Sequence, residues 1–114
     1  RLQRLHLRAP GDGRAPARLQ LYANSASMDF NSAEQAVPTQ TFDLTDLWHA
    51  VDSANKEATD VTCELALSVA RFQSVLTLTL FVVDNVGELD TSALRAVTVI
   101  GARVHRVIVV PGVL

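Results

Sequence analysis

The chain has a single cysteine, Cys63, so an internal disulfide is excluded. Its three histidines, His6, His49 and His105, are too scattered to reach ligand spacing with one another or with Cys63, which excludes a zinc site of the usual Cys/His kind. A chain so poor in thiols is read as reduced and intracellular. Positive charge is not in excess: 10 Lys and Arg stand against 12 Asp and Glu, for a formal net charge of −2. A nucleic-acid binder draws its affinity from a basic surface, so that class is excluded too. There is no run of the roughly 18 apolar residues that a membrane-spanning helix needs, and no signal-peptide pattern. The expected setting is therefore cytoplasmic, with nuclear or ciliary placement as extensions of it. Aromatics are few, at one Trp, one Tyr and four Phe. No Met opens the chain, and Arg1-Leu2-Gln3-Arg4 already reads as strand. The chain is thus expected to be one domain over 1–114 that lacks its N-terminal segment.

What the chain does have is aliphatic alternation. With 114 residues, 48% of them apolar, it can build one core but not two. The organising stretch is Phe72 to Asn85. Side chains alternate along a strand, so Leu76, Leu78, Leu80 and Val82 share one face, and Thr77, Thr79, Phe81 and Val83 share the other. The pattern predicts a central strand with one face in a core and the far end of the other face also covered. Asp84-Asn85-Val86-Gly87 follows as a turn in which Asn and Gly can take positive φ.

Around it, Leu5 and Leu7 alternate with Arg4, His6 and Arg8 in a strand ending at Ala9-Pro10, expected to be an edge strand with its basic face in water. Arg18–Ala23 is a second strand, with Tyr22 laid flat and its hydroxyl in water. From Asn24 to Thr39 turn-forming residues interrupt the pattern, and Met28 and Phe30 are expected to pin this loop. Thr41–Leu44, Val61–Val69 and Leu94–Ile100 complete the strand set. A helix is expected from a cap at Thr45 or Asp46 to Asn55-Lys56-Glu57, with Leu47, Trp48 and Val51 as its apolar stripe. The tail, Val104 to Leu114, either adds a strand or docks on a partner. Six or seven short strands with little helix point to an all-β sandwich or jelly roll.

Chemistry is harder to find. Cys63 lies on the apolar face of its strand, where a thiol acts as a small hydrophobe. Asp84, Glu88 and Asp90 gather at one loop, and Asp29, Asn31 and Glu34 at another; solvated turns are the expectation, calcium the alternative. Gly11-Asp12-Gly13 is too short for a phosphate loop. No catalytic residue, metal ligand or cofactor is expected.

Several pieces together resemble the PITH domain, the proteasome-interacting module of thioredoxin-like proteins. Leu19-Gln20-Leu21-Tyr22-Ala23-Asn24 is similar to a family strand, Met28-Asp29-Phe30 to its Met-Asp-Phe element, and Pro38-Thr39-Gln40 to its Pro-Thr-Gln turn. Arg71-Phe72-Gln73-Ser74-Val75, Leu78–Val82 and Asp84-Asn85 make a second block, while Leu5-His6 and Val99-Ile100-Gly101 flank the rest. The resemblance implies a jelly-roll β-sandwich, galactose-binding-domain-like; Trp48–Thr62 departs from the family by its length and is expected to hold one short inserted helix. It further implies a non-enzymatic adaptor that associates with the 26S proteasome. One alternative is the same module docked in a cytoskeletal or ciliary assembly, and another is a carbohydrate- or calcium-dependent jelly roll. The residues expected to touch a protein partner are Trp48, Arg4, Arg8, Val107, Val109 and Leu114.

Overall fold

The computed structural model describes residues 3–24, 38–50, 60–68, 70–72, 75–101, 104 and 106–111. Within them the alternating stripes form eight strands: β1 (Arg4–Pro10), β2 (Pro16–Ala23), β3 (Gln40–Asp43), β4 (His49–Ala50), β5 (Asp60–Ala66), β6 (Thr77–Asn85), β7 (Ala96–Ile100) and β8 (Arg106–Pro111). They pair into two four-stranded sheets, ordered β4-β5-β1-β7 and β3-β2-β6-β8. Every ladder is antiparallel except the parallel pair β6 and β8. Most connections carry the chain from one sheet to the other, the path of a jelly-roll sandwich. Among the described residues no helix is long and apolar enough to cross a membrane.

Alternation decides which residues meet between the sheets. Leu5, Leu7, Cys63 and Leu65 of the first sheet face Leu19, Leu21, Leu78, Leu80 and Val82 of the second, and all are buried in one cluster. Leu44 and Phe72, which lie outside the strands, are fully buried in the same core. Each such Leu contributes about 2 kcal/mol through the apolar surface it removes from water. Cys63 is part of this packing, and burial pushes its thiol up to about 11, so it is protonated at neutral pH.

The central strand is β6, as the Leu/Thr pattern predicts, with β2 on one side and β8 on the other. Its outer face is covered as well. Phe81 and Tyr22 are buried there in a second cluster, packed against Val83 and Val110.

Five details depart from the sequence reading. Leu76 precedes the strand and is 62% exposed, because the ladder starts only at Thr77. Tyr22 is buried instead of lying flat in water; its hydroxyl donates to Gln20 Oε1 at 2.9 Å, and burial raises its pKa. β1 is not an edge strand but lies between β5 and β7, partners 50–62 and 88–96 residues away that local spacing cannot announce. Its basic face is nonetheless exposed at Arg4 and Arg8. The inserted helix is not seen where it was expected to begin: 45–47 is a turn and His49–Ala50 pairs with Thr62 and Val61 of β5. Strand pairing overrides a weak local helix pattern there, and 51–59 lies outside the described residues, as do Met28 and Phe30. In the turn after β6, the positive φ falls on Glu88 (54°), not on Asn85 or Gly87.

The tail forms a strand, β8, whose outward neighbour among the described residues is absent. Beside β8 on the outer face of β6, Thr79 is fully buried, and its Oγ1 has no hydrogen-bond partner among the described residues. A buried hydroxyl left unpaired costs about 1–3 kcal/mol, whereas a valine has the same shape and no polar atom to satisfy. Thr79→Val is therefore expected to raise stability by about 1 kcal/mol in urea unfolding. A loss of stability would show that the hydroxyl is in fact satisfied.

Candidate functional site

Three connections meet at one end of the sandwich: 11–15 between β1 and β2, 44–48 between β3 and β4, and 86–95 between β6 and β7. Backbone hydrogen bonds lash the first to the third. Val86 N–H donates to Ala15 O (2.9 Å), Gly87 N–H to Gly13 O (2.8 Å), and Ala93 N–H to Arg14 O (2.9 Å). Gly13 takes φ +98°, and a Cβ on Gly87 would stand 3.0 Å from Gly13 O, so both glycines are needed for this approach.

Asn85, nearly inaccessible at the end of β6, holds the longest connection. Its Oδ1 accepts from Leu89 N–H (2.6 Å), and its Nδ2 donates toward Leu89 O, Thr91 O and Ser92 Oγ. Asp43 fixes the turn after β3 by accepting from Thr45 N–H (3.0 Å) and Thr45 Oγ1 (2.7 Å), and these bonds hold its carboxyl below the ordinary range. The buried Leu44 anchors the same turn, with its N–H on Ala17 O.

Two clefts result, sharing Thr45 and Val86 as the ridge between them. One, of about 230 Å³, is lined by Trp48, Val61, Pro10 and Ala15 together with that ridge. The other, of about 280 Å³, is lined by Asp43, Asp84, Glu88 and Arg18. Val86 on the ridge, and Leu47 and Leu89 in the same connections, are each 40–42% exposed. Arg18 is committed to Asp84: its backbone N–H donates to Oδ1 (3.0 Å) and its Nε and Nη2 to Oδ2 (2.8 and 2.5 Å). Arg14 is committed in the same way to Asp12. Among the described residues, Asp43, Asp46, Glu88 and Asp90 make no ion pair, so the described part of this end carries an excess of negative charge.

The residues singled out from the sequence fall on three separate surfaces. Trp48 stands at the rim, half-buried, and its indole N–H donates to Pro16 O at 2.8 Å. Arg4 and Arg8 lie on the outer face of the first sheet, on Glu64 (2.6 Å) and Asp60 (2.7 Å). Val107 and Val109 stand half-exposed on β8, and Leu114 lies outside the described residues. Of the acidic clusters, Asp84 is held by Arg18, and Asp29, Asn31 and Glu34 lie outside the described residues. Among the described residues no group of three or more His, Cys, Asp or Glu side chains is placed to hold a metal ion.

Sequence reasoning missed Asn85 as a side-chain latch, and it missed Asp60. Asp60 Oδ2 accepts from Arg8 Nε and Oδ1 from Arg95 Nε, both at 2.7 Å. This clamp ties β1, β5 and the entry to β7. Asp60 stands alone at a strand start and Arg95 in a loop, so only their pairing in space reveals them.

A family model described as the PITH domain matches residues 1–109, which takes in β1 to β7, the rim and the first part of β8. No solved structure matches the chain.

The Asp60 clamp makes a pH prediction. The hydrogen bond from Arg8 is the main influence holding its carboxyl below the ordinary range; Arg95 adds to it, and burial opposes it. A carboxyl depressed in the folded state stabilises fully above the ordinary value of about 4, and this is lost as pH falls through the folded value. Both arginines are about half exposed, so solvent attenuates the effect. Asp60→Asn is expected to lower the urea midpoint at pH 7, with the gap to the parent closing below about pH 4. A gap that stays constant from neutral to acid pH would contradict the clamp.

Proposed function

The chain belongs to the PITH domain family, and from that membership we propose a non-enzymatic protein-interaction module acting as an adaptor on the 26S proteasome. The observation that carries the reading is the family match over residues 1–109 of a 114-residue chain. The two-sheet jelly roll agrees with the fold that the resemblance implied. The side-chain chemistry suits a binding role. Cys63, the one thiol, is buried and protonated, and nucleophilic work needs an accessible thiolate. The rim offers apolar side chains and carboxylates on loops held by a rigid scaffold, where recognition surfaces commonly sit. The proposed setting is the cytoplasm, where such an adaptor meets its partner.

With the full chain as bait in cell extract, proteasome subunits are expected to be recovered well above a tag-only control. Recovery of a filament or axonemal complex in their place would replace the proteasome adaptor with a structural subunit of that assembly.

A further inference from the structure

We propose that the rim beside Trp48 docks a basic segment of a partner protein through an apolar anchor. The proposal rests on the chain being a protein-interaction module, and it names the face used and the chemistry of the segment it takes. Single exposed aliphatic side chains are ordinary on a protein surface. Here the exposed Val86 lines one small cleft together with Trp48, Val61, Pro10 and Ala15, and the exposed Leu47 and Leu89 belong to the same two connections, Leu47 next to Trp48 in sequence. Leu89 closes over Gly13, with its Cδ1 3.5 Å from where a Cβ on that glycine would stand. The cleft of about 230 Å³ suits one or two apolar side chains.

Charge selects the occupant. Across the Thr45–Val86 ridge the second cleft presents Asp43, Asp84 and Glu88, and Arg18, the one cation among its described lining residues, is already bound to Asp84. Asp46 lies in the turn that carries Thr45, and Asp90 follows Leu89, both exposed. An acidic peptide, a nucleic acid or an anionic lipid surface would be repelled here. A segment with an apolar residue beside Lys or Arg would fill the first cleft and place its cation over the second. The rim is also preorganised. The Asn85 latch, the Asp43–Thr45 turn and the Gly13–Gly87 approach fix its three connections before any partner arrives.

Trp48 is the only tryptophan in the chain, so its fluorescence reports on this cleft. The probes are a short peptide alternating leucine and lysine, the same peptide with glutamate for lysine, and the same with serine for leucine. The leucine–lysine peptide is expected to shift Trp48 emission saturably, and to bind about tenfold more tightly than either counterpart. Its affinity should fall as salt rises. The double variant Asp46→Lys with Glu88→Lys leaves the Asp43–Thr45 turn and the Asn85 latch intact, and should weaken that peptide about tenfold while strengthening the glutamate one. Val86→Ser should weaken binding of the lysine peptide without reversing its charge preference. Unchanged urea midpoints confirm that both variants fold. Equal binding of the lysine and glutamate peptides overturns the proposal, as does a lysine-peptide affinity unmoved by the charge reversal. The parent chain's recovery of proteasome subunits from extract is an independent measurement, so the adaptor reading can stand while this assignment of the rim falls.

Discussion

Burial of β6 on both faces is the constraint on which the rest of the structure depends. Its inner side chains, Leu78, Leu80 and Val82, meet the first sheet, while Phe81 on the outer side packs with Tyr22. A strand closed on both faces cannot slip by one residue without exchanging the two sets. Its register with β2, from Leu19 opposite Val82 to Ala23 opposite Leu78, is therefore fixed by packing at every position. The parallel pairing with β8 follows the same register, with Leu78 beside Val107 and Phe81 beside Val110.

That register carries through to the rim. The β2–β6 ladder is irregular on both sides of Arg18, a bulge of the kind that re-aims side chains at the end of a sheet. It sets Asp84 opposite Arg18, where the carboxylate takes both the backbone N–H and the guanidinium. One residue on, Asn85 turns its amide into the following connection, which puts Val86 on the ridge between the two clefts and Glu88 in the acidic one. The rim is thus an extension of the core strand. Substitutions that loosen β6 should blur the rim before they unfold the sandwich.

Much of this was legible in the sequence because alternation is a local signal. Leu5 and Leu7, Leu19 and Leu21, Cys63 and Leu65, and Leu78 and Leu80 all read as inward pairs, and all are buried. The segments Leu19–Asn24 and Leu78–Val82 also carried the family resemblance, and the family model matches across them. What local spacing could not provide was the non-local part. Arg4 and Arg8 read as an edge face, yet β5 and β7 flank their strand. Tyr22 read as half-wet because its cover comes from Phe81 and Val110, far along the chain. Asp84-Asn85-Val86-Gly87 was recognised as a turn, but Asn85 works through its amide and not through a left-handed backbone. At Thr45–Ala50 a helical stripe lost to a turn and a two-residue pairing with β5. Trp48 was marked as a contact residue; the structure puts it in a cleft and ties its N–H to Pro16.

The doubly buried strand is most directly tested by amide hydrogen exchange followed residue by residue. Amides of Leu78 to Val82 should exchange only through global unfolding, with opening free energies matching the denaturant value, while His49 and Ala50 in the short edge strand β4 open far more readily. Exchange at Leu78 to Val82 as fast as in β4 would contradict the account.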